Sequence, residues 1–255
     1  MNFSELPDTL QTALTERVYS EPTDVQAAVL EPEARGRDLV VSAQTGSGKT
    51  VAFGLAVARQ LLDENGKVPF AVAPLALVIA PTRELALQVS RELSWLYAKA
   101  GGRVATCVGG MNPSAERKAL RSGATIVVGT PGRLRDHLER GALDLSALKA
   151  VTLDEADEML DMGFREDLEE ILDATPDTRR TLLFSATMPR PIERLAERYQ
   201  RNALRLSLAG ETRGHGDIAY QAITVGPSEI ENAVVNLLRF HEAETAICFC
   251  ATRES

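Results

Sequence analysis

Leu39-Val40-Val41-Ser42-Ala43-Gln44-Thr45-Gly46-Ser47-Gly48-Lys49-Thr50 runs from a β-branched apolar stretch through a glycine-bearing turn to a Lys-Thr pair. Apolar residues then return every three or four positions from Val51 to Leu62. The pattern predicts strand, tight turn and helix, the setting a phosphate-binding loop requires. Gly46 and Gly48 let successive backbone N–H groups curl around an anion with no Cβ in the way, and the helix start adds its positive dipole. Lys49 is placed to reach β- and γ-phosphates, and the Thr50 hydroxyl to ligate Mg²⁺. Thr45 and Ser47 complete the candidate cradle. Ala43 stands where the generic motif has its first glycine.

Outward from this loop, short unbroken apolar runs recur at Ala76–Ala80, Ala124–Val128, Ala150–Leu153 and Thr181–Phe184. Helical spacing lies between them, as over Glu84–Ala98, Pro113–Leu120 and Pro191–Tyr199. Alternation of this kind predicts an α/β fold, a parallel sheet covered by helices on both faces. Residues 63 to 74, with Gly66, Pro69 and Pro74, read as a surface loop. The chain has 255 residues, is 44% hydrophobic and carries a formal charge of −8; its mean hydropathy is −0.10. That suffices for one sizeable core plus a remainder. No stretch approaches the roughly 18 apolar residues of a membrane span, and the start lacks signal-peptide regions, so the expected location is the cytoplasm. The negative charge argues against a broad grip on nucleic acid and confines any such binding to a local site. Cys107, Cys248 and Cys250 are expected to be buried and reduced, and His137, His215 and His241 are too scattered in sequence to complete a zinc cluster.

Asp154-Glu155-Ala156-Asp157 directly follows the run Ala150–Leu153. An acidic residue at a strand end is what a phosphate-bound Mg²⁺ requires, since that ion takes oxygen ligands and keeps waters. Asp154 is therefore the metal-side carboxylate, acting through a water, and Glu155 the group that orients and deprotonates an attacking water. With Lys49 they form the candidate catalytic set.

Together, Ala43–Thr50, Pro81-Thr82-Arg83-Glu84-Leu85-Ala86, Gly109-Gly110, Thr130-Pro131-Gly132-Arg133, Asp154–Asp157 and Ser185-Ala186-Thr187 resemble, in order and approximate spacing, the motifs of DEAD-box RNA helicases. The resemblance covers residues 1 to 208 and continues weakly through Ile247–Arg253. It implies two RecA-like (P-loop NTPase) domains with ATP, Mg²⁺ and RNA held between them. It implies an adenine-reading element too, here Phe3 and Gln26 within Pro22-Thr23-Asp24-Val25-Gln26. A Gln amide offers donor and acceptor to adenine's edge, and Phe can stack on the ring. Asp24 departs from the family's second proline, and Val18 from the glycine common before Tyr19. The same likeness assigns Thr82, Arg83, Gly109, Gly110, Thr130, Gly132 and Arg133 to the sugar–phosphate backbone of one RNA strand. Arg83 and Arg133 are open to a second reading as braces between loops. Ser185, Ala186 and Thr187 would link nucleotide state to domain closure.

Ala209 to Asp217, with three glycines among polar residues, reads as a linker. Beyond it, a strand over Ile218–Val225, a helix from Pro227 to Phe240 and a strand over Thr245–Cys250 predict the truncated β-α-β beginning of a second RecA-like domain. The expected domains are thus 1–208, the linker 209–217, and 218–255. The implied activity is ATP-driven RNA duplex unwinding or remodelling; an ATP-gated RNA clamp or assembly scaffold is the alternative. Because the family's γ-phosphate arginines belong to the second domain, residues 1–255 are expected to bind nucleotide, hydrolyse it slowly and leave duplexes intact.

Overall fold

A computed structural model describes residues 3–44, 46–208, 219, 221–242 and 244–250. Its strands are β1 (Leu39–Ser42), β2 (Ala76–Ile79), β3 (Val104–Cys107), β4 (Ile126–Gly129), β5 (Ala150–Leu153), β6 (Arg180–Ser185) and β7 (Leu204–Ser207). The helices are α1 (Asp8–Glu16), α2 (Asp24–Leu30), α3 (Lys49–Ala56), α4 (Ala58–Leu61), α5 (Arg83–Leu96), α6 (Pro113–Arg121), α7 (Pro131–Glu139), α8 (Ala156–Asp161), α9 (Arg165–Asp173), α10 (Arg190–Tyr199) and α11 (Ile230–His241). The strands form one sheet in the order β3-β4-β2-β5-β6-β1-β7, parallel at every pairing.

Side chains alternate across this sheet into two cores, as the two-residue period of a strand dictates. Val41, Val78, Val128 and Phe184 meet Leu14, Val29, Phe53 and Leu93 on one face. Val40, Leu77, Val127 and Leu183 meet Leu134, Met159, Ile171 and Leu195 on the other. Every residue of β2, β4, β5 and β6 is buried, which is why these strands read as continuous apolar runs. The edge strand β3 is half-buried in alternation and contains Thr106, so no such run marks it.

The helical spacing from Val51 to Leu62 is interrupted at Val57, between α3 and α4. The Arg180 guanidinium donates to the Ala56 carbonyl, and Gln60 N–H turns to Val57 O instead. Arg180 also donates to Arg37 O and Ala34 O, so one buried cation ties the sheet to the loop before β1.

Residues cluster into two compact units, Met1–Ala209 and Gly210–Ser255. The described part of the second holds a 3₁₀ turn (Pro227–Glu229) and α11, none of whose residues is buried. The expected strands are absent over 221–226 and 245–250. A parallel strand exists through a neighbour's hydrogen bonds, and the described residues of this unit provide none. Ile218, Tyr220, the linker 209–217 and Ala251–Arg253 lie outside the described residues. The cysteine expectation also needs correction: Cys107 is buried, but Cys248 and Cys250 are exposed, since the described residues of this unit enclose no core.

α1 ends in a Schellman turn, with Tyr19 N–H on Leu14 O and Val18 N–H on Thr15 O. The turn requires a left-handed residue, and Val18 occupies it at φ 61°. A β-branched side chain is strained there, which accounts for the glycine usual at this position. Val18 is exposed and loses no packing on truncation. Val18→Gly is therefore expected to stabilise the chain by roughly 0.5–1 kcal/mol, the strain relief exceeding the added unfolded-state entropy. Urea unfolding checks this; an unchanged or lower midpoint contradicts it.

Candidate active site

In a parallel sheet every strand delivers its carboxyl end to the same edge, where ligands gather. β1 ends on the loop 43–48, β5 on Asp154–Asp157, and β6 on Ser185–Thr187. β2 ends on Pro81–Arg83, β3 on Val108–Gly110, and β4 on Thr130–Arg133. The strand order sorts these segments along the edge. Those after β3, β4 and β2 form one neighbouring group, and those after β5, β6 and β1 the other.

In the second group an open cleft of about 440 Å³ is lined by Gly46, Gly48, Lys49, Thr50, Asp154 and Glu155. Gly46 and Gly48 sit at φ 81° and 88°, conformations that side chains with a Cβ rarely adopt. Lys49 Nζ donates to Glu155 Oε1 at 2.6 Å and to Ala43 O at 3.2 Å, with both ionic side chains buried. Glu155 is itself left-handed at φ 49°, backbone strain of the kind found at functional sites. Burial pushes the Asp154 carboxyl up to about 7, against the pull of Lys49. Its Oδ1 is buried with no hydrogen-bond partner among the described residues. An orphaned carboxyl oxygen on a residue that lines the same cleft as Thr50 makes a hard-oxygen donor set that fits Mg²⁺. Thr45 lies outside the described residues.

α2 packs on this loop. Thr23 Oγ1 donates to Ser47 O at 2.9 Å, and Gln26 Nε2 to Gly48 O at 3.4 Å. Gln26 Oε1 accepts the Thr23 N–H at 3.1 Å. Gln26 is thus fully buried, holding the phosphate loop with one amide proton and its own helix start with the oxygen. Phe3 is folded by its 3₁₀ turn into the core that also contains Leu10 and Leu14. Tyr19 is the aromatic residue that borders both the groove beside Phe3 and the phosphate cleft.

Asp157 connects the acidic segment to β6. Its Oδ2 accepts from Thr187 N at 2.9 Å and from Thr187 Oγ1 at 2.7 Å, while Asp157 N–H points to Ser185 Oγ at 3.3 Å. Burial works to raise this carboxyl, but the bonds from Thr187 and Ser185 outweigh it and hold it below the usual range. Ala186 is exposed between the two hydroxyls.

In the first group, α5 starts at Arg83 with Thr82 as its cap and α7 at Pro131 with Thr130 as its cap. Two helix N-termini therefore open on this stretch of edge, each a donor site for an anion. Gly109, Gly110 and Gly132 are exposed. The two arginines differ. Arg83 is exposed, with no hydrogen bond or ion pair among the described residues, whereas Arg133 donates to Glu116 Oε2 at 3.0 Å. Glu116 also accepts from Val108 N–H at 3.0 Å and meets His137 Nε2 at 2.6 Å. Cys107 joins them, with one ligand atom from each of Cys107, Glu116 and His137 lying within 4.8 Å of the others. This is a poor cation site: both Glu116 oxygens are engaged, and burial pushes the thiol up to about 12, where metal needs thiolate.

Residues 23–195 match the model of the DEAD/DEAH box helicase family. The chain belongs to that family. It is 46% identical over 199 residues to DEAD-box ATP-dependent RNA helicase 9 of Oryza sativa subsp. japonica, covering 78% of this chain and 31% of that one. It is 42% identical over 244 residues to ATP-dependent RNA helicase DeaD of Escherichia coli K12, covering 95% and 38%. The chain therefore spans less than half the length of these two relatives. The crystal structure of a DEAD box protein from Methanococcus jannaschii superposes with a TM-score of 0.74 at 37% identity, over 94% of this chain and 63% of that one. The sheet is thus a RecA-like domain of the DEAD-box kind.

In this DEAD-box chain, three features of the edge had no motif of their own. Tyr19 reaches the cleft only because the Schellman turn aims it. Gln88 and Glu92 of α5 line the cleft's far wall. Glu116 sits on an unremarkable polar helix. Gly48 yields a direct test: a Cβ there would lie 2.7 Å from Gln26 Nε2 and 3.2 Å from Thr23 Oγ1. Gly48→Ala is expected to push α2 off the loop, costing about 1–2 kcal/mol in stability and about tenfold or more in nucleotide affinity. Nucleotide titration and urea unfolding report both, and wild-type values would contradict the packing argument.

Proposed function

We propose that residues 1–208 are the ATP-binding domain of an ATP-dependent RNA helicase, that 209–217 link it to a second RecA-like domain, and that 218–255 carry the beginning of that domain. The observation that carries this reading is the buried Lys49–Glu155 contact beside the orphaned Asp154 oxygen, in a cleft floored by the phosphate loop. Gly46, Ser47, Gly48 and Lys49, together with Thr45, cradle the phosphates. Thr50 and Asp154 hold Mg²⁺, directly or through water. The ion, when bound, neutralises charge on the phosphate oxygens. Glu155 orients the attacking water and accepts its proton. Adenine is read at the Tyr19 end of the cleft, where the buried Gln26 and Phe3, expected to touch the base, instead hold the phosphate loop and the start of the chain in place. Ser185 and Thr187, bonded to Asp157, relay the state of the acidic segment to the second domain.

On the other half of the edge, Thr82, Arg83, Gly109, Gly110, Thr130 and Gly132 bind the sugar–phosphate backbone of a single RNA strand. Supporting this are the two helix starts, at Arg83 and Pro131, the exposed glycines and the unpartnered guanidinium. Contacts of this kind carry no base information, so preference for particular RNAs arises elsewhere in the protein.

Exchange of partners at Lys49 defines the first test. Phosphate must draw Lys49 away from Glu155, so Glu155→Gln in the complete protein is expected to bind ATP at least as tightly as wild type while hydrolysis stops. Unchanged turnover would remove Glu155 from the mechanism. Lys49→Ala leaves a buried carboxylate unpaired and is expected to cost about 3 kcal/mol of stability as well as roughly a hundredfold in nucleotide affinity. Lys49→Ala combined with Glu155→Gln is expected to restore the fold but not the binding, as unfolding and titration curves will show.

The second test concerns the polypeptide 1–255. In the family the arginines that reach the γ-phosphate lie further into the second domain, and such a residue is worth about 10³ to 10⁵ in turnover. Purified 1–255 is expected to bind adenine nucleotide, to hydrolyse it slowly with or without RNA, and to leave duplexes paired. RNA-stimulated phosphate release at the rate of a full-length relative would refute this.

A further inference from the structure

Glu116 touches three segments at once. Its Oε1 accepts from Val108 N–H, next to Gly109-Gly110, and its Oε2 accepts from Arg133 and meets His137 on α7. The carboxylate is 4% exposed and the Arg133 side chain 14%, so this ion pair is largely screened from solvent, and the Arg133 Nη1 facing Glu116 is spent on it. Two loops from adjacent strands, one after the edge strand β3 and one after β4, are therefore fastened to one buried anion on α6. Arg83, by contrast, lies open beside this assembly. A Cβ on Gly110, which sits at φ 75°, would come within 2.8 Å of its Nη1. The glycine thus lets the free guanidinium lie against the loop that Glu116 fixes.

We propose that Glu116 is a positioning residue for the RNA strand: it withholds Arg133 from phosphate and uses that guanidinium to clamp the Gly109-Gly110 loop to the Thr130–Arg133 turn. Arg83 is then the guanidinium that meets the strand. The inference rests on the proposed RNA surface and separates its two arginines by role. Neutralising a phosphate releases counterions, whereas fixing a loop does not, so salt dependence tells the roles apart.

The test uses the 255-residue chain with Mg²⁺ and a non-hydrolysable ATP analogue, titrated with a labelled single-stranded RNA by fluorescence anisotropy across a salt series. Arg83→Ala is expected to make the slope of log affinity against log salt shallower by about 0.7, the loss of one phosphate contact. Arg133→Ala and Glu116→Gln are expected to weaken binding with the wild-type slope, and the double variant to bind no worse than the weaker single one. Amide NMR signals of Gly109 and Gly110 are expected to move in both variants without RNA. A shallower slope for Arg133→Ala would make it a phosphate contact and overturn the inference, as would Gly109 and Gly110 signals that stay in place. Should Glu116→Gln fail to fold, Arg133→Ala alone decides by the same two readouts. If the wild-type chain binds no RNA, the proposed RNA surface fails and this inference with it. RNA binding with the wrong slope pattern sinks the inference alone.

Discussion

The contact between Lys49 and Glu155 is the constraint around which the phosphate-loop half of the sheet edge is organised. It joins the loop after β1 to the segment after β5, with β6 standing between those strands. Two charges taken out of water cost several kcal/mol each unless they meet, so the burial of each side chain depends on the other. The same pairing makes the site responsive. On the proposed function, a phosphate that recruits Lys49 would leave Glu155 without its cation, so that ligand arrival and the freeing of the proposed base would be one event. Glu155's left-handed backbone is consistent with a residue held for this purpose against its local preference.

From that pair the connections run outward through short, directed bonds. Ala156 follows Glu155 into α8, and Asp157 on the first turn is bound by Thr187 and Ser185. A shift of Glu155 therefore bears on Asp157 two residues away, and through it on the end of β6. On the opposite side, Gln26 and Thr23 hold the loop carbonyls of Gly48 and Ser47. The phosphate loop is thus gripped by α2 from outside and by Glu155 from inside, and a nucleotide has to satisfy both.

Much of this could be read from the sequence, and the part that could not has a common cause. The glycine turn and the strands buried on both faces carry local signals, because a phosphate loop needs its glycines and a doubly covered strand needs unbroken apolar residues. The edge strand β3 shows neither. The break at Val57 depends on Arg180, remote in sequence, taking the Ala56 carbonyl. Val18 was legible as a departure from the family's glycine, but its meaning emerged only with its positive φ. Glu116 had no local signature because its three partners come from two other strand ends. In the last segment the strand pattern is present while the described residues form no strand, since hydrogen bonding to a neighbour, and not residue preference, makes a strand.

The charge of −8 constrains how such a domain can hold RNA at all. With Arg133 paired to Glu116, Arg83 is the one cation among the proposed contact residues left for phosphate, and a single charge cannot supply the affinity of a Lys- and Arg-rich surface. What remains is the backbone: the N-terminal amides of α5 and α7 and the exposed glycines. Donors of that kind are fixed in direction and weakly charged, so they select a strand by the spacing and path of its phosphates more than by its charge density.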